Sequence, residues 1–331
     1  MPIRPGDYLN LTIESMNHDG YGISHTETGK AVWVLNALPG EQVVAQVMKR
    51  KRGKLLAEAT EIIKASSERV EPRDPGYLSG GSWQMMSFSA EKGYKQQSLK
   101  KLFANFDMPS IRLVSDTREY GYRNKLEFSF YGDRDTGRLD LAFSRRGTKR
   151  GKIPVGGTYM APEVMNESAR ELRDALNARK ISRDQVKFLQ VRYSYHTDTV
   201  TLYLFVKDTS IDWTWVQDLI SDKVVGIEVI YSEPKSPAAV MTEVLHEFGT
   251  TEVVEALLSM KFFYPGHGFF QVNPPLFEDC LSDIREYVGS VSDTQTRLVD
   301  LYAGVGVIGL ACAGQIGRVV GVELFSESRE Y

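Results

Sequence analysis

Three glycines near the carboxyl end of the chain have the clearest chemical potential. Gly304, Gly306 and Gly309 spell GxGxxG after the apolar segment RLVDLY, and Glu323 ends the next apolar segment 19 positions after Gly304. Glycines let a backbone turn sharply and approach a ligand, and a carboxylate at the end of the second strand accepts hydrogen bonds from ribose hydroxyls. The pattern therefore indicates a nucleotide site built on a strand, a loop and a helix.

Asp300, which stands just before this loop, helps to decide between nucleotide classes. A carboxylate at that point repels a diphosphate but attracts the cationic, phosphate-free S-adenosylmethionine. We therefore predict S-adenosylmethionine as the cofactor and keep a dinucleotide oxidoreductase as an alternative.

The cysteines and histidines point to no other chemistry. Cys280 falls in the apolar stripe of a helix that begins after Asn273, and Cys312 lies in a small apolar ACAG segment, so we expect both to be inert core thiols. Two cysteines cannot make a four-thiolate zinc or iron-sulfur site within one chain, and the five histidines lack ligand spacing. His267, ahead of the FFQVN segment, could lie near a substrate or have no role. We predict no metal site.

Length and composition limit the class of protein. The 331 residues are enough for two or three domains, and 42% hydrophobic with 25% charged residues is typical of globular chains. No apolar run reaches the ~18 residues of a membrane span, and the start lacks a secretion signal, so we expect a cytoplasmic protein without a membrane partner. Because the net charge is only -3, a polyanion must be bound by local basic patches.

The first 64 residues carry such a patch. Short apolar segments separated by turn residues predict a small closed β-barrel of the OB type. Its fourth strand runs into a basic segment that contains Lys49, Arg50, Lys51, Arg52 and Lys54. Such a segment is either a solvated hairpin tip or a grip for a nucleic-acid backbone.

Residues 65–260 predict an α+β domain. We expect a lysine-rich helix over 91–106, strands over 122–131 and 138–146, a helix over 162–180, a hairpin around 197–199, a helix beginning near 211 and a strand over 226–233. A second basic cluster follows the strand over 138–146 and comprises Arg145, Arg146, Lys149, Arg150 and Lys152. Two basic clusters in separate elements favour a common anionic partner.

Several segments together resemble the RNA uracil-5 methyltransferases. Residues 4–47 look like the TRAM domain, an RNA-binding barrel. The segments GGSWQ, YRNKLEFSF, FFQVN, DLYAGVGVIGL and GVE then occur in the order that this family uses. The resemblance extends over essentially the whole sequence. It implies methyl transfer from S-adenosylmethionine to carbon 5 of a uridine in structured RNA, either tRNA or 23S rRNA.

The resemblance also implies roles for individual residues. Gln271 of FFQVN would contact the cofactor, Tyr302 would lie beside its methionine or adenosine part, and Glu323 would bind its ribose. Asp300, Gly304 and Gly306 complete the predicted cofactor set. Arg123 and Lys125 of YRNK would face RNA phosphate, although alternate positions on one strand are equally compatible with solvated side chains.

The sequence departs from the family pattern at two places. Ser79 and Ser82 stand where many members have cysteines of an iron-sulfur cluster, and Thr158 stands near the fourth ligand place. Because serine is a poor ligand for such a cluster, we predict none and expect hydrogen bonds and packing, with Trp83 central, to fix the segment. The family's nucleophilic cysteine and general base follow the glycine loop at a distance. We therefore assign no catalytic residue to these 331 positions and expect the sequence to be part of a longer enzyme.

The predicted fold class is a multidomain chain. It comprises an OB-like TRAM β-barrel over 1–64, an α+β middle domain over 65–260, and the start of a Rossmann-like α/β methyltransferase domain over 261–331. We predict a monomeric S-adenosylmethionine-dependent RNA (uracil-C5) methyltransferase, with a non-catalytic RNA-binding protein as the alternative.

Overall fold

A computed structural model describes residues 3–107, 111–148, 151–236 and 240–324. The chain divides into two compact units, one of Met1–Ser115 with Phe143–Ile153 and the other of Asp116–Ala142 with Pro154–Tyr331. Lys149 and Arg150 of the second predicted basic cluster lie outside the described residues.

The first unit is built on a six-stranded sheet in the order β1-β5-β6-β4-β3-β2. Its strands are β1 (Tyr8–Thr12), β2 (Ser15–Met16), β3 (Gly22–His25), β4 (Ala31–Leu35), β5 (Gln42–Lys51) and β6 (Lys54–Lys64). Val43, Ala45 and Val47 alternate with more exposed neighbours along β5, which is the period expected of a strand with one face on the core. The strands match the apolar segments predicted from the sequence.

The two edge strands of this sheet, β1 and β2, follow one another directly in the sequence. The backbone N–H of Ile13 donates to Glu41 O (2.9 Å), and the N–H of Glu14 donates to Ile23 O (2.8 Å), so the link from β1 to β2 bonds toward both sides. The ladder order has β1 and β2 at its two edges, and no ladder pairs these two strands with each other among the described residues.

The described part of this unit also contains two helices, α1 (Tyr77–Gly80) and α2 (Phe88–Leu102). The Ser87 hydroxyl caps α2 by accepting from Ala90 N (3.2 Å), which starts the helix three residues before the predicted position. The helix ends at Leu102 because Phe103 takes up the C-cap position and leaves the helical conformation. The helix therefore ends four residues before the predicted end at residue 106, and Phe106 is 65% exposed.

Most strands of a seven-stranded sheet, in the order β13-β12-β11-β10-β7-β8-β9, belong to the second unit. Its strands are β7 (Lys125–Gly132), β8 (Leu139–Ser144), β9 (Lys152–Pro154), β10 (Val186–Ser194), β11 (Thr199–Val206), β12 (Val224–Tyr231) and β13 (Glu243–Gly249). Helix α3 (Glu163–Ala178) buries Met165, Leu172 and Leu176. The helix predicted near residue 211 is only a 3₁₀ helix (Thr214–Leu219), because buried Trp213 precedes it and β12 begins five residues after it.

The remaining elements lead into the glycine loop. They are β14 (Glu252–Leu257), β15 (Met260–Pro265), α4 (Pro274–Val291), β16 (Arg297–Leu301), α5 (Val307–Cys312), a 3₁₀ turn (Ala313–Gln315) and β17 (Arg318–Val322). Strands β16 and β17 are parallel, as a strand, loop, helix and strand sequence requires. Leu281 of α4 and Val307 and Ala311 of α5 pack together with Tyr264 and Phe270.

Among the described residues, none of the helices combines the length and apolar character that a membrane crossing requires.

Candidate cofactor site and RNA-binding residues

The glycine loop turns the chain from β16 into α5. Gly304 and Gly306 have φ angles of 56° and 77°, a left-handed conformation that glycine adopts at little cost, and Gly306 is the N-cap of α5. A side-chain carbon placed on Gly304 would meet no atom within 4 Å. The backbone there borders open space, as a ligand cradle needs.

The carboxylate of Asp300 lies against the first turn of α5. Its Oδ2 accepts a hydrogen bond from Gly309 N at 3.0 Å. A side chain on Gly309 would approach that oxygen to 3.2 Å and Val319 Cγ1 to 2.9 Å, which explains the third glycine of the motif. The Gly309 amide at the first turn of this helix, a position whose amides can bind phosphate, therefore donates to a carboxylate of the protein itself. This arrangement disfavours a diphosphate and suits a cationic ligand.

Glu323 joins the end of the second strand to the glycine loop. Its Oε2 accepts from Gly304 N (2.8 Å), and its Oε1 accepts from Leu324 N (2.8 Å). The half-buried carboxylate thus lies beside the open backbone of Gly304, where the sequence predicts the ribose.

Tyr302 and Gln271 are both exposed. Tyr302 is 93% accessible and has a φ of 60°, a conformation that costs a non-glycine residue on the order of 1 kcal/mol and is often found at functional sites. Hydrogen bonds join Asp300 to Gly309 and Glu323 to Gly304, whereas among the described residues no side-chain hydrogen bond joins Gln271 or Tyr302 to the loop.

Buried polar residues on β10 fix the segment that carries Gln271. Arg192 is 0% exposed; its Nε donates to Gly266 O (2.7 Å), and its Nη2 donates to Gly268 O. Gln190, two positions earlier on the same strand, also donates to Gly266 O (2.5 Å). Sequence reasoning missed both residues, and their only signal was the presence of polar side chains at alternate positions of an apolar strand.

The other end of this segment is held as well. Asn124 N donates to Val272 O (2.9 Å), and Asn273 caps α4 through Oδ1 while its Nδ2 donates to Asp116 Oδ2 (3.1 Å). Burial acts to raise the pKa of Asp116, but hydrogen bonds from Arg118 lower that pKa to about 2. Asp116 is therefore ionised at neutral pH and remains a strong acceptor.

The basic run of the first unit forms a hairpin, as predicted. Arg52 and Gly53 form its two-residue turn, with φ angles of 48° and 80°. Lys51 and Arg52 are exposed at the tip, whereas Lys49 Nζ donates to Gly147 O (2.5 Å) and Arg50 Nη2 donates to Ile3 O. The tip residues are therefore better placed than Lys49 and Arg50 to contact a polyanion.

Arg123 and Lys125 are only partly accessible. Arg123 Nε donates to the backbone oxygen of Lys125 (3.1 Å), and Lys125 Nζ forms an ion pair with Glu127 Oε1 (2.7 Å). Burial, together with the nearby Arg192 guanidinium, lowers the pKa of Lys125. A phosphate at this position would have to compete with Glu127.

Ser79 and Ser82 are bridged by one arginine. Arg146 N donates to Ser79 Oγ (3.2 Å), and its guanidinium donates to Ser82 Oγ (2.5 Å) and to Asp19 O (2.5 Å) while lying 4.7 Å from the Tyr21 ring centroid. A backbone amide and a guanidinium that donate to two hydroxyls are the wrong chemistry for an iron-sulfur cluster, which needs thiolates. Among the described residues no group of three His, Cys, Asp or Glu side chains could hold a metal ion.

The rest of the second basic cluster is also engaged in part. Arg145 pairs with Glu58 (3.3 Å), and Lys152 Nζ donates to Ser144 Oγ (2.9 Å). These side chains therefore contribute to structure as well as to surface charge.

The two cysteines differ in environment. Cys312 is buried in α5 as predicted, and burial raises the pKa of its thiol, which makes it a poor nucleophile at neutral pH. The prediction that Cys280 is a core thiol is wrong, because the residue is exposed. Helix α4 buries Leu281 and Val288, seven positions apart on one face, and Cys280 lies about 100° around the helix from Leu281.

Residues 87–330 match the tRNA (Uracil-5-)-methyltransferase family, and residues 3–60 match the TRAM domain. The chain belongs to the tRNA (uracil-5-)-methyltransferase family. The family recognised from the sequence is thereby confirmed, and with it S-adenosylmethionine as the cofactor of this class of RNA-modifying enzyme.

Two relatives and one solved structure illustrate the likeness. An uncharacterized RNA methyltransferase of Caldanaerobacter subterraneus subsp. tengcongensis is 27% identical over 98% of this chain and 75% of its own length. The 23S rRNA (uracil(1939)-C(5))-methyltransferase RlmD of Vibrio parahaemolyticus is 26% identical over 97% and 71%, respectively. The crystal structure of Pyrococcus abyssi tRNA (uracil-54, C5)-methyltransferase in complex with S-adenosyl-L-homocysteine superposes with a TM-score of 0.75 at 16% identity, covering 97% of this chain and 74% of that one. This last match supports the fold.

Proposed function

We propose that the protein transfers a methyl group from S-adenosylmethionine to carbon 5 of a uridine in tRNA or 23S rRNA. The observation that carries the proposal is the carboxylate of Asp300. This residue lies on β16, directly before the glycine loop, and accepts a hydrogen bond from Gly309 N in the first turn of α5. The chain belongs to this family. That carboxylate disfavours a diphosphate and favours a cationic nucleoside.

Each cofactor residue has a distinct task in this proposal. Gly304 and Gly306 open the backbone to the adenosine, Glu323 accepts from the ribose hydroxyls, and Asp300 supplies the negative potential. Tyr302 and Gln271, which are both exposed, contact the methionine or adenosine part. When bound, S-adenosylmethionine supplies an electrophilic methyl group on a sulfonium.

Carbon 5 of uracil must first be made nucleophilic. A thiolate adds to carbon 6, carbon 5 takes the methyl group, a general base removes the proton from carbon 5, and the thiolate leaves as the double bond forms again. We assign the thiolate neither to Cys312, which is buried in α5, nor to Cys280, which is exposed on α4.

The RNA contacts belong to both units. In the first unit we propose that Lys51 and Arg52 at the hairpin tip bind phosphate, with Lys49 and Arg50 supporting the hairpin. In the second unit Arg123 and Lys125 bind phosphate after Lys125 exchanges its partner Glu127. A target base would be flipped out of the stack to reach the cofactor.

The proposed organisation has three domains over 1–64, 65–260 and 261–331. The first would be a closed TRAM barrel. Two backbone hydrogen bonds support this: Ile13 N donates to the oxygen of Glu41, directly before β5, and Glu14 N donates to the oxygen of Ile23 in β3. The last would be part of a Rossmann-like methyltransferase domain, supported by the parallel pairing of β16 and β17. We expect a monomer that acts in the cytoplasm, where tRNA and ribosomal RNA are processed.

Mass spectrometry of RNA from cells with and without the gene tests the activity. We expect 5-methyluridine to disappear from one mapped position of tRNA or 23S rRNA when the gene is deleted and to return on complementation. An unchanged nucleoside profile in both RNA classes would contradict the proposal.

A non-catalytic RNA-binding protein remains the second candidate, because the exposed Lys51 and Arg52 tip could bind RNA while the buried Cys312 thiol is a poor nucleophile. Such a protein would bind RNA with a steep salt dependence but would not bind S-adenosylmethionine. Titration with that cofactor separates the two candidates.

A further inference from the structure

The first unit contains an open cavity of about 780 Å³ that is lined in part by α2. We propose that it binds one unpaired nucleobase of the RNA substrate, separate from the uridine that is methylated. This inference rests on the proposed function and deepens it. The residues that line the cavity are Met16, Asn17, His18, Trp83, Lys95, Ser98, Leu99, Lys101, Leu102 and Leu113.

The cavity has an apolar lining that suits a planar ring. Leu99 and Leu102 come from α2, and Leu102 is 71% exposed. The Trp83 indole is fixed against the β2-β3 turn so closely that a side-chain carbon on Gly20 would lie 3.0 Å from its Nε1. A rigid aromatic ring with aliphatic neighbours is the kind of surface on which unpaired bases stack.

The charge of the lining complements a phosphodiester chain. Lys95 Nζ lies 5.7 Å from the Trp83 ring centroid and is oriented by its ion pair with Glu91 Oε1 (2.5 Å), and Lys101 lies on the same helix. None of the described residues that line the cavity is acidic. A base inside the cavity would therefore have cations near its flanking phosphates.

Asn17 adds a donor that can select among bases. Its Oδ1 accepts from Asp19 N (3.0 Å) and from Tyr21 N (2.9 Å), which fixes the orientation of the amide. Its Nδ2 is buried, and among the described residues no acceptor takes its hydrogens. A buried donor of this kind gains most from a carbonyl oxygen, which uracil, guanine and cytosine carry and adenine lacks.

Fluorescence anisotropy with two labelled RNA hexamers, oligouridylate and oligoadenylate, tests the site on the full chain. We expect oligouridylate to bind at least about tenfold more tightly, since a base that leaves the Asn17 donor unpaired is rejected. Equal binding of the two hexamers by the unmodified chain would overturn the inference.

Substitutions then locate the site. Leu102→Glu should weaken oligouridylate binding about tenfold or more, because it places a negative charge in the cavity and removes an apolar contact. Ile63→Glu on β6 is the matched control, since Ile63 is also exposed, at 56%, and does not line the cavity. Asn17→Asp keeps the Oδ1 acceptor and should abolish the preference for uridylate. Equal effects of Leu102→Glu and Ile63→Glu would refute the location.

S-adenosylmethionine titration separates this inference from the proposed function. We expect Leu102→Glu to leave cofactor affinity within about twofold of the unmodified chain, because the variant changes only the first unit. A chain that binds the cofactor but shows no effect of Leu102→Glu on RNA contradicts the cavity assignment alone. A chain that binds oligouridylate through the cavity but not the cofactor contradicts the methyltransferase proposal alone.

Discussion

Replacing Arg192 by Met tests whether the segment 266–273 is positioned from the central sheet. The substitution removes the guanidinium bonds to the oxygens of Gly266 and Gly268 at a site that is 0% exposed. Gln190 still donates to the Gly266 oxygen, so chiefly the Gly268 carbonyl loses its partner. Hydrogen bonds to charged groups contribute about 1.5 to 3 kcal/mol each, and Met avoids the desolvation of a buried cation.

We therefore expect Arg192→Met to lower the free energy of unfolding by about 2 to 3 kcal/mol, measured by urea denaturation. If the segment presents Gln271 to the cofactor, the affinity for S-adenosylmethionine should fall about tenfold in calorimetry. Arg134→Met, at an exposed position between β7 and β8, is the control and should change stability by less than about 0.5 kcal/mol. The same stability and cofactor affinity in both variants would refute the positioning role.

Four further substitutions test separate parts of the account. Burial raises the pKa of Glu255 to about 7, above its value in the unfolded chain. The native state should therefore lose about 1 to 3 kcal/mol of stability as the pH rises from 4.5 to 7. Urea titrations at several pH values should show that Glu255→Gln flattens this decline. Tyr302→Gly should leave unfolding free energy unchanged or raise it by up to about 1 kcal/mol while weakening cofactor binding, and a variant with full affinity would remove Tyr302 from the site. Arg146→Met should lower the thermal midpoint of the first unit, corresponding to about 1 to 2 kcal/mol, because Ser82 Oγ and Asp19 O lose the guanidinium donor while the backbone bond to Ser79 is kept; an unchanged midpoint would contradict the role of the guanidinium. Arg52→Glu should reduce the slope of log affinity against log salt for RNA by about 1, and an unchanged slope would exclude that contact.

Local patterns predicted the elements that local chemistry determines. The basic hairpin with its Arg52 and Gly53 turn and the helix capped by Asn273 each depend on residues within a few positions of one another. The strand, glycine loop and helix around Gly304 and Gly306 were predicted for the same reason.

Contacts between distant positions were not predictable in this way. Arg192 bonds to Gly266 and Gly268 across more than 70 residues, and Arg146 bonds to Ser82 across 64. No periodicity relates such pairs, so the structure is needed to show that an arginine joins the two serines. The β13 strand was missed because its residues lack a clear alternation of buried and exposed positions.

The exposure of Cys280 shows a further limit of sequence patterns. An apolar stripe defined by spacing alone is wider than the surface a helix actually buries, since α4 fully buries only Pro274, Leu281 and Val288. The width of the contact depends on which elements pack against the helix, and a single helix sequence does not contain that information.

Calorimetric titration of the chain with S-adenosylmethionine and, separately, with NADH tests the central claim most directly. We predict that S-adenosylmethionine binds at one site, that NADH does not bind, and that Asp300→Asn lowers the affinity for S-adenosylmethionine. Tight binding of NADH with no detectable heat from S-adenosylmethionine would contradict the account.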